Sequence, residues 1–588
     1  MSSPLASVRH SNVTRPPPVK NSSTEKPREP CSPEKDQWIN FFFDGTGNNL
    51  QADDPTEEHS NVARLFQSQR GNSMQRIFSF YIPGLGTYFK DIGDPGGDDW
   101  RGNAIGKRGT DRLNWAMKWV DQALQGSGGR KTHIALFGFS RGAALARAFA
   151  LRIAQRCRRK DNSWWMLHQG RVYPVRLSFM GLFDTVASVG TPMSLNQAPI
   201  AALAMADRRA ALMHRSLTQL PNLAFGEPGA DPAPGPANGH MYWANDLHVP
   251  EMVEKCVHMV AAHEVRQSFP LDSVLEGSAY PRNCQEIVYP GVHSNIGGGY
   301  RPLEGARSSL LSLIPLWAMR DEAVRAGVPL EIDLLSEKDF GGDPSLKSNL
   351  GKLVHQFNHY LDTVEKLQSS KSLGDVVLAH MRLYYQWRFR RIRLNQAARS
   401  HKRPTPDQAV LQRAEKTWEN ERKMLTKLCE ELWKQAHEQK LKVDRLKNSR
   451  AEPKYIQSEE LMAELAMDEY SAAKARLDTL PGTASSLVSM MNIYDDQCMA
   501  DARIIRATAR LKSLLLLGGG PKKLRPHYRA LLEAYDAESN GRGLKDLDLI
   551  AFFDNYVHDS LAGFAMDATL PSDPRVLYIG KDEKLRYA

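Results

Sequence analysis

The stretch from Thr132 to Ala150 constrains this chain more than any other. His133 to Phe137 is an apolar run of strand length, an alanine-rich helical pattern without a breaker runs on to Arg152, and Gly138-Phe-Ser-Arg-Gly142 joins the two. A strand that turns straight into a helix can hold a serine in a strained backbone conformation, with its hydroxyl outward and the positive end of the helix behind it. Glycines two before and two after Ser140 leave room where a side chain would collide. Ser140 therefore reads as a nucleophile; the bland alternative is a glycine-rich turn whose serine caps a helix. Ala143 and Ala144 after the turn, and the apolar strand before it, favour the first reading.

The surrounding pattern alternates strands with helices. Trp38 to Phe43 is a β-prone run that ends in Asp44-Gly-Thr-Gly-Asn-Asn49, and Arg76 to Ile82 ends in Pro83-Gly-Leu-Gly86. A helix is predicted over Thr110–Gln125, a strand over Val175–Phe183, helices over Ala201–Leu217 and near Glu251–Ser268, and a strand over Gln285–Tyr289. This order predicts an α/β fold: an α/β-hydrolase-like, mostly parallel sheet flanked by helices. Gly226 to Pro236 is turn-rich and reads as a lid.

From about Leu310 the pattern changes to long helices, including Gly374–Ala398 and Leu487–Leu517. In the charged stretch Asp407–Lys447, Leu411, Trp418, Leu425 and Leu432 recur every seventh residue, but Glu421 and Gln435 interrupt the companion positions. That favours an amphipathic helical hairpin over a sustained coiled coil. Residues 1–37 are polar and proline-rich and are expected to be disordered. The expected organisation is thus a tail (1–37), a catalytic domain (38–330), a helical module that associates with membranes (331–545), and a C-terminal segment (546–588) whose short strand Arg575–Ile579 returns to the catalytic sheet.

A serine nucleophile needs a base, and the base needs an acid to hold its tautomer. Asp184 directly follows an apolar strand, and His293 lies between a strand and Gly297-Gly-Gly299. The order Ser140, Asp184, His293 is that of α/β-hydrolases. Each has an ordinary reading, a helix-capping aspartate and a loop histidine. His558, in Tyr556-Val-His-Asp-Ser560, competes with His293 or supports the site from behind, and Asp246 is the fallback acid. For the developing oxyanion the chain offers the backbone N–H of Arg141 and that of Gly45 or Thr46, with Asp44 as a supporting acid. His263-Glu-Val-Arg lacks the second histidine of a zinc-protease helix, and no metal or other cofactor is expected.

Phe43-Asp-Gly-Thr-Gly-Asn-Asn49, Gly138-Phe-Ser-Arg-Gly-Ala143, Phe183-Asp-Thr-Val-Ala-Ser-Val-Gly190 and Pro290-Gly-Val-His-Ser-Asn-Ile-Gly-Gly-Gly-Tyr300, taken together and in this order, carry a family resemblance. The chain resembles the first class of bacterial type VI secretion lipase effectors, an α/β-hydrolase family long catalogued as a domain of unknown function. The likeness spans roughly residues 38 to 325, and Tyr556 to Ser560 resembles a C-terminal segment of these effectors. It implies a triad of Ser140, Asp184 and His293 acting on membrane phospholipids. It also implies delivery on a secretion spike or carrier into a rival bacterium's periplasm, and a cognate immunity protein in the producer. Asn295 departs from the family, which often has aspartate there, so an accessory role for that acid is in doubt.

Other classes stay weaker. A net charge of +10 suits an anionic surface without choosing one. Between Arg382 and Arg403 eight basic residues and no acidic one alternate with Tyr384, Tyr385, Trp387 and Phe389. Such a helix suits an anionic lipid interface, or else carries its aromatics in a core. No base-reading motif accompanies it, so no nucleic-acid partner is expected. A serine esterase for small acyl esters remains the enzymatic alternative; a phosphatase using Asp44 lacks the second aspartate. Six widely spaced cysteines give no zinc or disulfide framework, and Met1 to Arg15 lacks the apolar core of a Sec signal, pointing to synthesis in the cytoplasm and export by another route.

Overall fold

The computed structural model describes residues 36–54, 57–69, 76–96, 102–161, 163–187, 207–226, 242–301, 304–330, 344–449, 451–479, 484–514, 524–561, 569–579 and 583–584. Six parallel strands form its centre: β1 (Gln37–Phe43), β2 (Ile77–Ile82), β3 (Thr132–Phe139), β4 (Arg171–Phe183), β5 (Cys256–Ala261) and β6 (Cys284–Tyr289). They lie in the order β6-β5-β4-β3-β1-β2. The chain builds outward from β1 to β2, then crosses back to lay β3 on the other side of β1. That reversal puts a crevice at the carboxyl ends of β1 and β3, where sheets of this kind bind their ligands.

The strands are apolar on both faces because both are covered. In β1 the side chains part by turns. Ile39, Phe41 and Phe43 join one core with Ile134, Leu136, Met180 and Leu182, while Trp38 and Phe42 join another with Phe137, Phe179 and Met259. Helices α1 (Asn61–Gln67), α2 (Gly102–Gly126) and α3 (Arg141–Gln155) flank the sheet. The first core takes Leu113 and Val120 of α2 and the small residues Ala143, Ala144 and Ala146 of α3. Alanines let α3 lie close, and Gly142 touches the carbonyls of Phe43 and Asp44, where a methyl group would not fit.

The second core is larger and runs without a break into the helical part, through α4 (Arg208–Thr218), α5 (Leu313–Arg325), α6 (Pro344–Leu367), α7 (Leu373–Ser400) and beyond. The helical module is therefore packed onto one face of the sheet by shared apolar side chains. Among the described residues no helix is long and apolar enough to cross a membrane.

Several expectations need correction. Glu251–Ser268 is not a helix: Val257, Met259 and Val260 are buried in the middle of the sheet as β5. The stretch Asp407–Lys447 is not itself a hairpin but one helix, α8 (Pro406–Asn448), along which α9 (Pro453–Thr479) folds back through Lys442–Glu459 and Lys447–Glu460 ion pairs. The last strand, β7 (Leu577–Ile579), does not enter the main sheet; it pairs with Leu271–Asp272 beside it. Strand β1 begins at Gln37, inside the expected tail, and residues 1–35 lie outside the described residues, as does the expected lid from residue 227 onward.

The basic aromatic helix is also settled by packing. Tyr384, Tyr385, Trp387 and Phe389 are buried, and Arg388 and Arg391 are buried with them. Arg388 pairs with Asp495 and Asp559, and Arg391 with Asp407. A guanidinium held by internal carboxylates is not available to lipid, so Arg388 and Arg391 belong to an internal ionic network, while Arg393, Lys402 and Arg403 are exposed.

Candidate active site

Ser140 ends β3 at φ 57° and ψ −125°, the strained conformation that the strand-to-helix turn demands. Its N–H donates to the Phe183 carbonyl at 3.0 Å, and its carbonyl accepts from Val186 at 3.2 Å. These two bonds tie the serine to the loop after β4. Asp184 begins that loop, also left-handed at φ 41°, and its N–H reaches the Met259 carbonyl of β5. Two adjacent strand ends thus each hold a residue away from its relaxed backbone, a cost that neighbouring structure must sustain.

His293 sits at the start of a short helix, His293–Gly297, after β6. Its Nδ1 meets Asp184 Oδ2 at 2.6 Å. The opposite nitrogen, Nε2, is buried and has no hydrogen-bond partner. The ring lies between Phe139 and Phe269, with centroids 4.6 and 4.9 Å away. Burial lowers the imidazole's pKa from its usual value; the hydrogen bond and charge of Asp184 pull the other way, Arg266 adds to the lowering and Glu264 opposes it. The ring is a neutral base at neutral pH.

Asp184 is fully buried. Burial alone would raise its pKa, but the Arg575 guanidinium and His293 hold it well below the usual carboxylate range. Arg575 grips it with two nitrogens, Nη1 to Oδ1 and Nη2 to Oδ2, both at 2.8 Å. The Ala261 N–H adds a third donor at 2.9 Å. Glu264 accepts the His293 N–H at 3.2 Å and is paired with Arg266, which keeps it ionised at about 2 despite its burial.

The glycine loop after β1 lies alongside. Asp44 receives the Ser60 and Tyr81 hydroxyls at 2.5 Å each and the Gly45 N–H at 2.7 Å. Burial raises its pKa, partly offset by those bonds, and the neighbouring Asp53 is pushed up to about 7 by burial and by Asp44. Gly45, one of the expected oxyanion donors, has its N–H bonded to Asp44 in this structure. Its bare Cα accommodates the Phe139 ring, as does that of Gly297. Thr46 is different, since its hydroxyl is buried without a partner. Arg141 contributes the first N–H of α3, which has no acceptor within its own helix.

Of the supporting candidates, His558 is close and Asp246 is not. His558 bonds Asn295, two residues from His293, and stacks on Tyr300 at 3.8 Å; burial drives its pKa down to about 3, so it is neutral. Asp246 instead bonds its own neighbour His248 in a half-exposed turn, and it makes no contact with His293. Arg575, Glu264, Phe139 and Phe269 were not singled out from sequence. Glu264 and Arg266 lay in the rejected zinc pattern, where an acid and a base two residues apart were the available signal. Among the described residues no three His, Cys, Asp or Glu side chains are grouped to hold a metal.

Residues 38–157 and 154–322 match the catalytic domain of the type VI secretion phospholipase effectors described as Tle1-like. These residues, just under half of the chain, carry a Tle1-like phospholipase effector catalytic domain. No curated protein sequence matches the chain. Among solved structures, an uncharacterized protein from Pseudomonas aeruginosa is 21% identical, with a TM-score of 0.57, over 94% of this chain and 80% of its own; it shares the fold. A Tle1 effector solved bound to the VgrG spike of a type VI system is 22% identical, with a TM-score of 0.27, over 46% of this chain and 52% of its own. The Tle1-like domain thus coincides with the sheet that carries Ser140, Asp184 and His293, while α6 to α9 and the helices beyond lie outside the matched span.

Proposed function

We propose that this Tle1-like effector is a phospholipase A that works through a Ser140–His293–Asp184 triad. The observation that carries the reading is the bond from His293 Nδ1 to the buried Asp184, whose pKa Arg575 holds low, with the unpartnered Nε2 left for the serine's proton. Ser140 Oγ attacks the acyl carbonyl as its proton passes to Nε2; the imidazolium then returns that proton to the departing alcohol of the lysophospholipid. Water, deprotonated by the same nitrogen, releases the fatty acid and restores Ser140. Asp184 stays charged throughout and stabilises the imidazolium. The oxyanion is taken by the Arg141 N–H with Thr46 as the second donor, a choice supported by the commitment of Gly45 to Asp44 and by the unpartnered Thr46 hydroxyl.

The family supports secretion by a type VI system. Delivery to the periplasm of a rival bacterium, damage to its phospholipid, carriage on the secretion spike and neutralisation by an immunity protein in the producer complete the proposal. Product analysis on defined phospholipids tests it. Wild type should release free fatty acid and lysophospholipid, and Ser140→Ala should release neither. Phosphorylated headgroup among the products, or normal activity of Ser140→Ala, would overturn it.

A further inference from the structure

Asp184 is held by a residue 391 positions away. The Arg575 guanidinium uses every nitrogen: two face the carboxylate of Asp184, Nε donates to the Phe269 carbonyl at 2.8 Å, and Nη1 also reaches the Ala261 carbonyl at 3.4 Å. Phe269 is the residue whose ring stands against His293. One side chain thus braces the acid, the end of β5 and a wall of the imidazole pocket.

The segment carrying Arg575 is itself fastened at both ends. Thr569 Oγ1 accepts the Gln267 N–H at 2.8 Å, Gln267 Nε2 donates to Asp573 at 3.0 Å, and β7 pairs with Leu271–Asp272. On its other side Asp573 pairs with Arg215 of α4, and Ser572 donates to Asp501 of α10 (Ala484–Leu514) at 2.7 Å. Ser572 also offers its carbonyl to His527, in α11 (Pro526–Ser539). Residues 569–579 therefore run as a strap, with the helical module on one side and the catalytic acid on the other.

We propose that Arg575 is a positioning residue for the catalytic acid, and that the 569–579 strap is how the helical module holds the triad in working geometry. This rests on the triad reading. A bidentate fork fixes the plane of the carboxylate as well as its place, and so fixes where His293 Nε2 is presented to Ser140. It also compensates the charge of Asp184.

The groups facing the pair are few. Asp184 meets Arg575, His293 and the Ala261 N–H, and His293 meets Asp184, Glu264 and Arg266 between the rings of Phe139 and Phe269. Removing Arg575 leaves an uncompensated buried carboxylate. It then either holds a proton itself or stabilises the imidazolium more strongly. In both cases the working pair, ionised Asp184 beside neutral His293, is lost at a higher pH on acidification.

The test is kcat and kcat/KM against pH for full-length wild type, Arg575→Gln and Arg575→Lys, following fatty acid release from phospholipid micelles. Folding is checked by melting temperature and by far-UV circular dichroism. For Arg575→Gln a fall in kcat of about 10- to 100-fold with little change in KM is expected, with the acid limb displaced to higher pH. Arg575→Lys, which keeps a charge but not the fork, should fall between the two, and methylguanidinium should restore part of the activity of Arg575→Gly. Should Arg575→Gln fail to fold, Arg575→Lys carries the test. Unchanged kcat, or a fall with the acid limb unmoved, marks a merely structural contact and overturns the proposal. Activity that survives Ser140→Ala would instead remove the triad reading, whatever Arg575 does.

Discussion

Asn295 spends its whole side-chain amide on holding the short helix of His293, and His558 takes half of it. Asn295 Oδ1 accepts the N–H groups of Val292 and His558, both at 3.2 Å; Nδ2 donates to the Tyr556 carbonyl at 3.1 Å and to His558 Nδ1 at 2.9 Å. The segment Val557-His558 (helix α12, Leu547–Tyr556, ends just before it) is thereby stitched to the loop that presents His293. An aspartate at 295 has no N–H to give.

Asn295→Asp should therefore destabilise the protein at neutral pH. Two donors become acceptors that face a carbonyl and an imidazole lone pair, at a cost of about 2–4 kcal/mol. Protonation of His558 would restore one of the bonds, so the deficit in melting temperature relative to wild type should shrink as pH falls. A deficit that is absent or independent of pH would show that the four bonds carry no weight.

The acid limb of kcat/KM in the wild type should lie below about 6.5, the ordinary histidine value. His293 is buried and its pKa lowered, so the neutral base persists into mildly acidic solution and activity is lost as pH falls through the folded value. Measuring kcat/KM from pH 4 to 8 with a soluble ester decides this, and a limb centred above 7 would contradict it.

Acid should also erode the fold over a defined window. His380 and His558 are pushed by burial to about 3, far below their unfolded value. Between about pH 6.5 and 3 the unfolded chain binds more protons than the native one, so stability falls as pH falls across that range. Melting temperatures should decline over the window, and His380→Gln should flatten the decline. The Tyr360 hydroxyl, bonded to His380 Nδ1 at 2.8 Å, keeps a partner in that variant.

Asp407→Ala should cost about 3–5 kcal/mol. It takes the nearest carboxylate from Arg391, leaving it Asp554 at 3.6 Å, and the carboxylate partner from Arg307, both buried, and Asn395 loses one partner. Thermal or urea unfolding measures the loss. Binding to anionic vesicles should be unchanged by Arg388→Gln, because Arg388 is spent on Asp495 and Asp559 inside the protein.

Gly297→Ala should lower kcat by about 10-fold or more without abolishing folding. Its added methyl group would meet the Phe139 ring, and that ring lies tilted against His293. Steady-state kinetics alongside a melting curve separates a displaced imidazole from an unfolded protein. An unaltered kcat would mean that Phe139 moves aside freely.

What could be read in the sequence was local. The run before Ser140 and the alanines after it specify a buried parallel strand and a close-packed helix, and both formed as read. The apolar stretch at β5 misled because a short buried strand and a buried helix share composition, and only its neighbours β4 and β6 decide between them. Arg388 looked like a surface residue because its partners, Asp495 and Asp559, lie far along the chain, and Arg391 because its partner Asp407 starts the next helix. Arg575 was invisible for the same reason: nothing at its own position marks a partner at the end of β4. Local pattern carries elements and turns, whereas charge pairing across hundreds of residues is a property of the assembled fold.

That separation has a temporal side. Ser140, Asp184 and His293 leave the ribosome in one early stretch, and Arg575 follows only after the whole helical module has been made. Until residue 575 has been made, the carboxylate of Asp184 has no guanidinium to face, and Ser140, Asp184 and His293 are on the chain without it. The producing cell therefore meets the braced pair later than it meets the three residues themselves.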